Sequence, residues 1–514
     1  MKNLIYIVRL DVLRRVRKYN FLVALAVSLA FSSVLIPGED ANYVTLRIGD
    51  GFIGYNNSAW IGLVNASMSI LILAMVGFFY IHGSIYQDYR HKVSNLLAAY
   101  PISNKYYLFI KVLSNTCILL IIATIILVGV SVKDLLVPGN YPFVLSDLIV
   151  PFLVFVLPSS FIISSVAVAF EVLLRRKIVI QQVLYFFTLQ LLSVFSISGY
   201  RYDFYGLGYI GTNLTRAFAH QVPLEGGNSL MSIGFLFSEN IDKKYVLLDG
   251  IAYDFDFLFS RFIWVLIFAM VIWGLSYLFN RFQYAAKGSK EKWKRKKDWK
   301  TASSERSKIL PLKSLPTFTP STSNLPLLVS EIKMIVRNQN VFILLLVVIG
   351  LILQARLELQ YVINMVVPVV WFLQVNHVAA LFSKEYESAT DSYFFVTYQS
   401  SRRLFLLQFF IGVMFLCLLA LPAFVVSILQ GYPGAAFSLL LAAFVVISLS
   451  AFFGVLTQQR RLSEIILFVL TYLSVSDIPL LDFLNWHITG TITLMIIVAS
   501  FSILGVIAFF RRPA

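Results

Sequence analysis

Runs of about 20 consecutive apolar residues recur along nearly the whole chain, and at about 1.5 Å of rise per residue each can cross a hydrocarbon core of about 30 Å as a helix. Inside lipid a backbone must satisfy its own hydrogen bonds, so the expected fold is an all-α polytopic membrane protein. The pattern predicts about twelve transmembrane helices, at 21–37, 61–83, 107–130, 148–172, 178–198, 257–280, 341–356, 361–383, 405–429, 434–456, 463–476 and 488–510. With 59% hydrophobic and 13% charged residues among 514, no length remains for a conventional soluble catalytic domain. The runs at 341–356 and 463–476 are short and need thinned bilayer or sheltering neighbours. Charges interrupt Leu4 to Val16 and no small-residue cleavage site follows, so the first span is expected to remain in the mature protein. Cys117 and Cys417 lie inside apolar runs, which leaves neither a disulfide framework nor a Cys-based metal site.

Charge sets the expected orientation. With a cytoplasmic amino terminus, 34 of the 42 Lys/Arg fall on inner segments and 8 on outer ones, while the 26 acids divide as 11 inner and 15 outer. Both termini are therefore expected in the cytoplasm of a multi-pass plasma-membrane protein, and the basic inner face fits a bacterium. Topology accounts for the net charge of +16, so no nucleic-acid partner is expected.

The chain also repeats itself. Asp11, Arg17 and Asn20 match Glu331, Arg337 and Asn340 at an offset of 320. Tyr86-Gln87-Asp88-Tyr89 matches Ser383-Lys384-Glu385-Tyr386, and Ser103-Asn104-Lys105 matches Ser400-Ser401-Arg402, at an offset of 297. Arg175-Arg176 matches Arg460-Arg461 at 285. The reading is two six-span halves of like orientation, 1–280 and 327–514, related by a pseudo-two-fold axis along the membrane normal and joined by a basic cytoplasmic linker, 281–326.

The inner segment after the second span reads YQDYRHKVSNLLAAYPISNKYYLFIK. Asp88 leads into a short helical pattern of Val93, Leu96, Leu97 and Tyr100, which Pro101 stops before Ser103 caps the next helix. Its counterpart after the eighth span carries Glu385, Glu387 and Asp391, a helix-forming stretch from Tyr393 to Val396, and Ser400 or Ser401 as the cap. Arg90 and Lys92 follow Asp88 where acids follow Glu385, so the two segments differ in charge.

This layout resembles the permease subunit of ABC-2-type (type V) ABC exporters, here internally duplicated. The resemblance rests chiefly on the acid after the second span and on Tyr100-Pro101-Ile102-Ser103; the second half departs from it with Tyr398 in place of Pro101. It implies amphipathic elbow helices before each half, carrying Asp11 and Arg17 and then Glu331 and Arg337. It implies coupling helices that dock on a cytoplasmic ABC ATPase, present in two copies, with Asp88 and Glu385 anchoring the coupling segments against the elbow region or the ATPase. ATP and Mg would be bound by that partner, since no GxxxxGK[ST] loop occurs in this chain and no cofactor is expected on it. The implied activity is export of an amphipathic or hydrophobic cargo, such as a peptide, lipid or antibiotic. The inequivalent charges at Arg90 and Glu387 make two inequivalent ATPase contacts the expectation.

Other segments read more plainly. Lys2 to Lys18 mixes Lys and Arg with apolar residues, as an interfacial helix on anionic lipid does. KGSKEKWKRKKDWK in the linker reads as a disordered positive-inside connector, with contact to headgroups or the ATPase as the alternative. The outer loop 199–255, rich in aromatics, glycines and acids, reads as a packed cap with a re-entrant or lid element near Leu230 to Phe237; Asp254 and Asp256 lack the partners of a catalytic pair. Glu171 is expected to pair with Arg175 at i,i+4. The five histidines lack ligand spacing, so no metal site is expected. An ion-coupled carrier of six plus six spans is the alternative function, weakened by the scarcity of charge within the spans. A membrane enzyme acting on lipids would need an interfacial cluster of His, Asp or Glu, which the sequence does not show.

Overall fold

The computed structural model of the chain describes residues 2–38, 43–49, 51–90, 102–136, 141–174, 180–189, 203–219, 231–237, 244–279, 325–337, 339, 341–388, 390 and 398–475. The apolar runs form helices. Helix α1 (Lys2–Val16) is followed by α2 (Tyr19–Leu35), α3 (Ser58–Asp88), α4 (Asn104–Leu136), α5 (Leu145–Leu174), α6 (Ile180–Leu189), α7 (Leu207–Ala219) and α8 (Phe255–Leu278). After the linker come α9 (Leu325–Arg337), α10 (Val341–Arg356), α11 (Leu359–Leu373), α12 (Val375–Ala380), α13 (Lys384–Glu387), α14 (Tyr398–Leu419), α15 (Leu421–Leu429), α16 (Pro433–Thr457) and α17 (Arg460–Val475).

Among the described residues, five helices are long and apolar enough to cross a membrane: α3, α4, α5, α8 and α16. The number rises to seven if α9 with α10, bent by 100°, and α14 with α15, bent by 60°, each count as one span. The chain is thus a helical membrane protein, but among the described residues fewer full spans are formed than the twelve expected. Hydropathy averages over breaks that geometry does not. Ala420, with Pro422 just beyond it, interrupts the run at 405–429, and Gln374 (φ −102°, ψ 10°) interrupts the run at 361–383. Arg460, Arg461 and Glu464 occupy the first turns of α17. The run at 488–510 and residues 190–198 lie outside the described residues.

The segments expected to be outer loops depart from an all-α expectation. Alternation in Tyr43–Ile48 makes a strand, β1, which pairs antiparallel with β2 (Phe52–Gly54) and with β3 (Met231–Phe237), while β2 pairs parallel with β4 (Lys244–Val246). The resulting sheet has the order β3-β1-β2-β4. Of the stretch expected as a re-entrant or lid element, Leu230 to Phe237, the part Met231–Phe237 is an extended strand. Asn57 caps α3 by accepting from the Trp60 N–H at 3.0 Å, and its amide donates to the Leu248 carbonyl at 2.5 Å, pinning the helix start to the loop after β4. Ser58 donates to Asp134 at 3.0 Å, and Lys133 donates to the Ser33 and Ile36 carbonyls at 2.6 Å. The ends of α2, α3 and α4 thus meet at the sheet end of the molecule.

Among the described residues, π-helical turns widen α3, α5 and α11 at Leu73–Gly77, Phe152–Val156 and Val362–Val366. Apolar burial supplies little drive between helices already in lipid, so packing and interhelical hydrogen bonds must hold them. Tyr185 donates to the Ala74 carbonyl at 2.5 Å, Trp371 to that of Leu416 at 3.1 Å, and Gln354 to that of Leu419 at 3.1 Å. Where α3, α6, α11 and α17 converge, Phe79 and Phe468 lie 4.2 Å apart and Phe186 lies 5.5 Å from Phe372. Phe78 stacks on Tyr185 at 3.4 Å.

Candidate functional site

At the end of the molecule opposite the sheet, two clusters of buried charge tie short helices to the membrane helices. The first is built on α1, whose i,i+3,i+4 spacing puts Asp11, Arg14 and Arg15 on one face. Asp11 accepts from Arg14 at 2.9 Å, from Arg15 at 2.7 Å and from the Ser114 hydroxyl at 2.8 Å, and lies 3.3 Å from Lys111 on α4. Asp88, at the end of α3, is 3% exposed and accepts from Lys111 at 2.7 Å, Tyr107 at 3.0 Å and Arg14 at 3.2 Å. Arg15 continues the network to Asn115 at 2.6 Å. Burial alone raises the pKa of a carboxyl; around Asp11 the positive charges of Lys111, Arg15 and Arg14 and the Ser114 hydroxyl outweigh it and hold the group well below the usual carboxylate range.

The end of α3 is itself fixed. His82 and Gly83 (φ +79°) break the helix, and it restarts at Ser84–Arg90. Glu171, fully within α5, accepts from the Ser84 N–H at 2.9 Å, the Ser84 hydroxyl at 3.2 Å and the Ile85 N–H at 2.7 Å. It therefore caps, across the bundle, the helical segment that carries Asp88. Its expected partner Arg175 lies outside the described residues.

The second cluster uses the same elements of the later part of the chain. Glu331 on α9 is buried and pairs with Lys384, which stands 3.8 Å from Glu385. Gln408 on α14 donates to Glu385 at 2.7 Å. Burial raises the Glu385 pKa, a shift that Lys384, its own backbone N–H and Gln408 offset only in part, with Glu331 adding to it. Glu387 accepts from the Arg460 N–H at 3.1 Å. Lys111 and Gln408 stand 297 residues apart, the offset that also separates Asp88 from Glu385.

Asp11 on α1 and Glu331 on α9 thus face inward, as do Asp88 and Glu385 beside those helices. Ser103 is exposed and caps α4 by accepting from the Tyr106 N–H at 3.3 Å. Arg17 and Arg337 are exposed at the ends of α1 and α9. Arg90 and Ser400 sit in helical backbone, but their side chains are outside the described residues; Leu96, Leu97, Pro101 and Asp391 lie outside them altogether. Lys111, Gln408, Arg14, Arg15, Lys384 and Glu171 were not singled out as site residues from sequence, although the 297 offset points from Lys111 to Gln408. Among the described residues no group of three or more His, Cys, Asp or Glu is placed to hold a metal ion.

Arg460 and Arg461, at the start of α17, link the clusters. Arg460 donates to Asn376 at 3.0 Å and lies 3.8 Å from Glu387 and 3.5 Å from Glu464; Glu464 in turn accepts from Gln182 on α6 at 2.8 Å. No family model matches the chain, and no curated protein or solved structure matches it.

Proposed function

We propose that this chain is the membrane permease of an ATP-driven ABC exporter, built from two related halves, with a separate cytoplasmic ATPase docking on the segments after Asp88 and Glu385. The observation that carries this reading is the pair of clusters. In each, an interfacial helix, the turn after a membrane helix and the start of the next one are joined around two buried acids. The same offsets that relate the halves in sequence relate Asp11 to Glu331, Asp88 to Glu385 and Lys111 to Gln408. An elbow fastened in this way moves with the segment beside it, which suits a protein that converts a push from the cytoplasm into helix motion.

The seam of aromatic rings between α3, α6, α11 and α17 supports an apolar path closed in this state, and hence an amphipathic or hydrophobic cargo. Among the described residues the charged groups of the membrane helices lie near helix ends, which argues against ion-coupled transport through a midplane site. Because Asp88 and Glu385 are buried, their reversal would break the bundle itself, so the test uses the apolar positions of the first coupling segment. A mild-detergent pull-down from the native membrane should recover a cytoplasmic ATPase with the wild type and lose it with Leu96→Asp/Leu97→Asp. An intact chain that recovers no ATPase would sink the permease reading and leave ion-coupled transport to be tested.

A further inference from the structure

The turn between α16 and α17 is held in an unusual shape. Gln458 adopts φ 56°, the left-handed region that non-glycine residues rarely occupy, while its N–H closes α16 on the Gly454 carbonyl at 3.0 Å. Thr457 donates to the Phe453 carbonyl at 2.7 Å and to that of Gln459 at 2.9 Å, and the Gln459 N–H donates back to the Thr457 hydroxyl at 3.4 Å. The turn therefore has a fixed exit, and α17 starts immediately with two arginines. Successive helical residues diverge by about 100°, so Arg460 and Arg461 point to different neighbours.

Arg460 faces the second cytoplasmic segment. Its N–H and its guanidinium engage Glu387, at 3.1 and 3.8 Å, and it also reaches Asn376. Arg461 faces the first. With the Gln87 amide turned so that its oxygen meets these donors, that oxygen accepts from both guanidinium nitrogens, at 2.5 and 3.0 Å. A side chain on Gly83 would stand 3.3 Å from the same guanidinium, so Arg461 lies directly over the bend that precedes Ser84–Arg90. One turn further on, the Ser463 hydroxyl donates to the Ser450 carbonyl at 3.3 Å, and Glu464 binds Gln182 from the other part of the chain.

We infer that Arg460 and Arg461 are positioning residues: through the first turn of α17 they form a crossbar that fixes the segment at Gln87 to the segment at Glu387, so that displacing either displaces both. In functional terms the crossbar rests on the permease reading, where it would keep two chemically different ATPase contacts in step. Its mechanics rest on geometry alone.

The test measures distance rather than transport. In a chain carrying Cys117→Ala and Cys417→Ala, nitroxide labels at Ser103→Cys and Ser388→Cys, both exposed positions, report the separation of the two segments by pulsed electron resonance on the purified protein. Wild type should give one narrow distribution. Arg461→Gln should widen it at least twofold, Gln87→Ala should widen it to the same degree, and the double variant should add nothing. A pair at Tyr6→Cys and Ser103→Cys, spanning the first cluster only, should stay narrow in Arg461→Gln. An unchanged width in both Arg460→Gln and Arg461→Gln, additive widening in the double variant, or equal widening of the Tyr6–Ser103 pair would each overturn the crossbar. No arm uses an ATPase, so failure to recover one sinks the permease reading while leaving this result to stand or fall separately.

Discussion

Asp11 in the first cluster and Glu385 in the second have pKa values shifted in opposite directions, and that contrast gives a pair of predictions. Asp11 faces three cations and a hydroxyl, and Asp11→Asn leaves Arg15 and Lys111 short of a counter-charge in a buried site; a loss of about 3–5 kcal/mol is expected. Because its folded pKa is depressed, its contribution is present above the unfolded carboxylate value of about 3.9 and fades as pH falls toward the folded value. The gap between wild type and Asp11→Asn in detergent thermal unfolding should therefore be wide at pH 7 and narrow below about pH 4. Glu385 is shifted the other way, so the folded state favours its protonated form and its contribution is lost as pH rises through the raised value. Glu385→Gln mimics that form and should be at least as stable as wild type at pH 7, with the difference shrinking as pH falls toward about 4.3. A Glu385→Gln protein that unfolds earlier at neutral pH would contradict this sign. The acids of both clusters were legible in sequence because acid at the rim of an apolar run stands out. Their cations were not, since Lys111 inside a run reads as a topology signal, and the second cluster takes its cation from Lys384, which is matched by Gln87 in the first. The contacts of Glu171 with Ser84 and Ile85 were hidden for a related reason: backbone N–H groups across the bundle leave no trace in local spacing.

At the level of elements, hydropathy located the helices well but not where they break. α3, α4, α5, α8 and α16 begin and end within a few residues of the expected runs. Among the described residues, part of the shortfall arises at Gln374 and Ala420, where a turn costs nothing in mean hydropathy, and at α17, where charges needed for tertiary contacts dilute the run. The sheet was missed because its partners are distant in sequence: β1 alternates like a strand, but β3 pairs with it only after nearly 190 residues of helix and loop. β1 is the central element of this cap, and Leu46 on it is 1% exposed. Leu46→Ala should cost about 2–5 kcal/mol locally. Limited proteolysis of proteoliposomes from the sheet side should then cut within 38–57 or 231–250 much faster than in wild type, while the helices stay protected. Equal cleavage rates would mean that the cap is held by its loops and not by the sheet.

At the scale of the whole molecule, the two ends differ in kind. One end carries the sheet, α7 and the acids Asp134, Asp147 and Asp203; the other carries both ionic clusters, the interfacial helices and Arg460 and Arg461. The helices connect these ends consistently: α3 runs from Ser58, bonded to Asp134 beneath the sheet, to Asp88 in the first cluster, and α4 returns from Tyr107 to Asp134. Contacts of Arg461 with Gln87 and of Arg460 with Glu387 place both clusters at the same end. On the proposed permease reading the cluster end, with its excess of Lys/Arg, is the cytoplasmic one. Single cysteines at Ser103 and Ser388 should therefore react with a membrane-impermeant maleimide only after the cells are opened, whereas one at Tyr55, exposed beside the sheet, should react in intact cells. If Ser103 and Ser388 labelled from opposite sides, the like orientation of the halves would be lost. If both labelled from outside, the ATPase would have no face to meet.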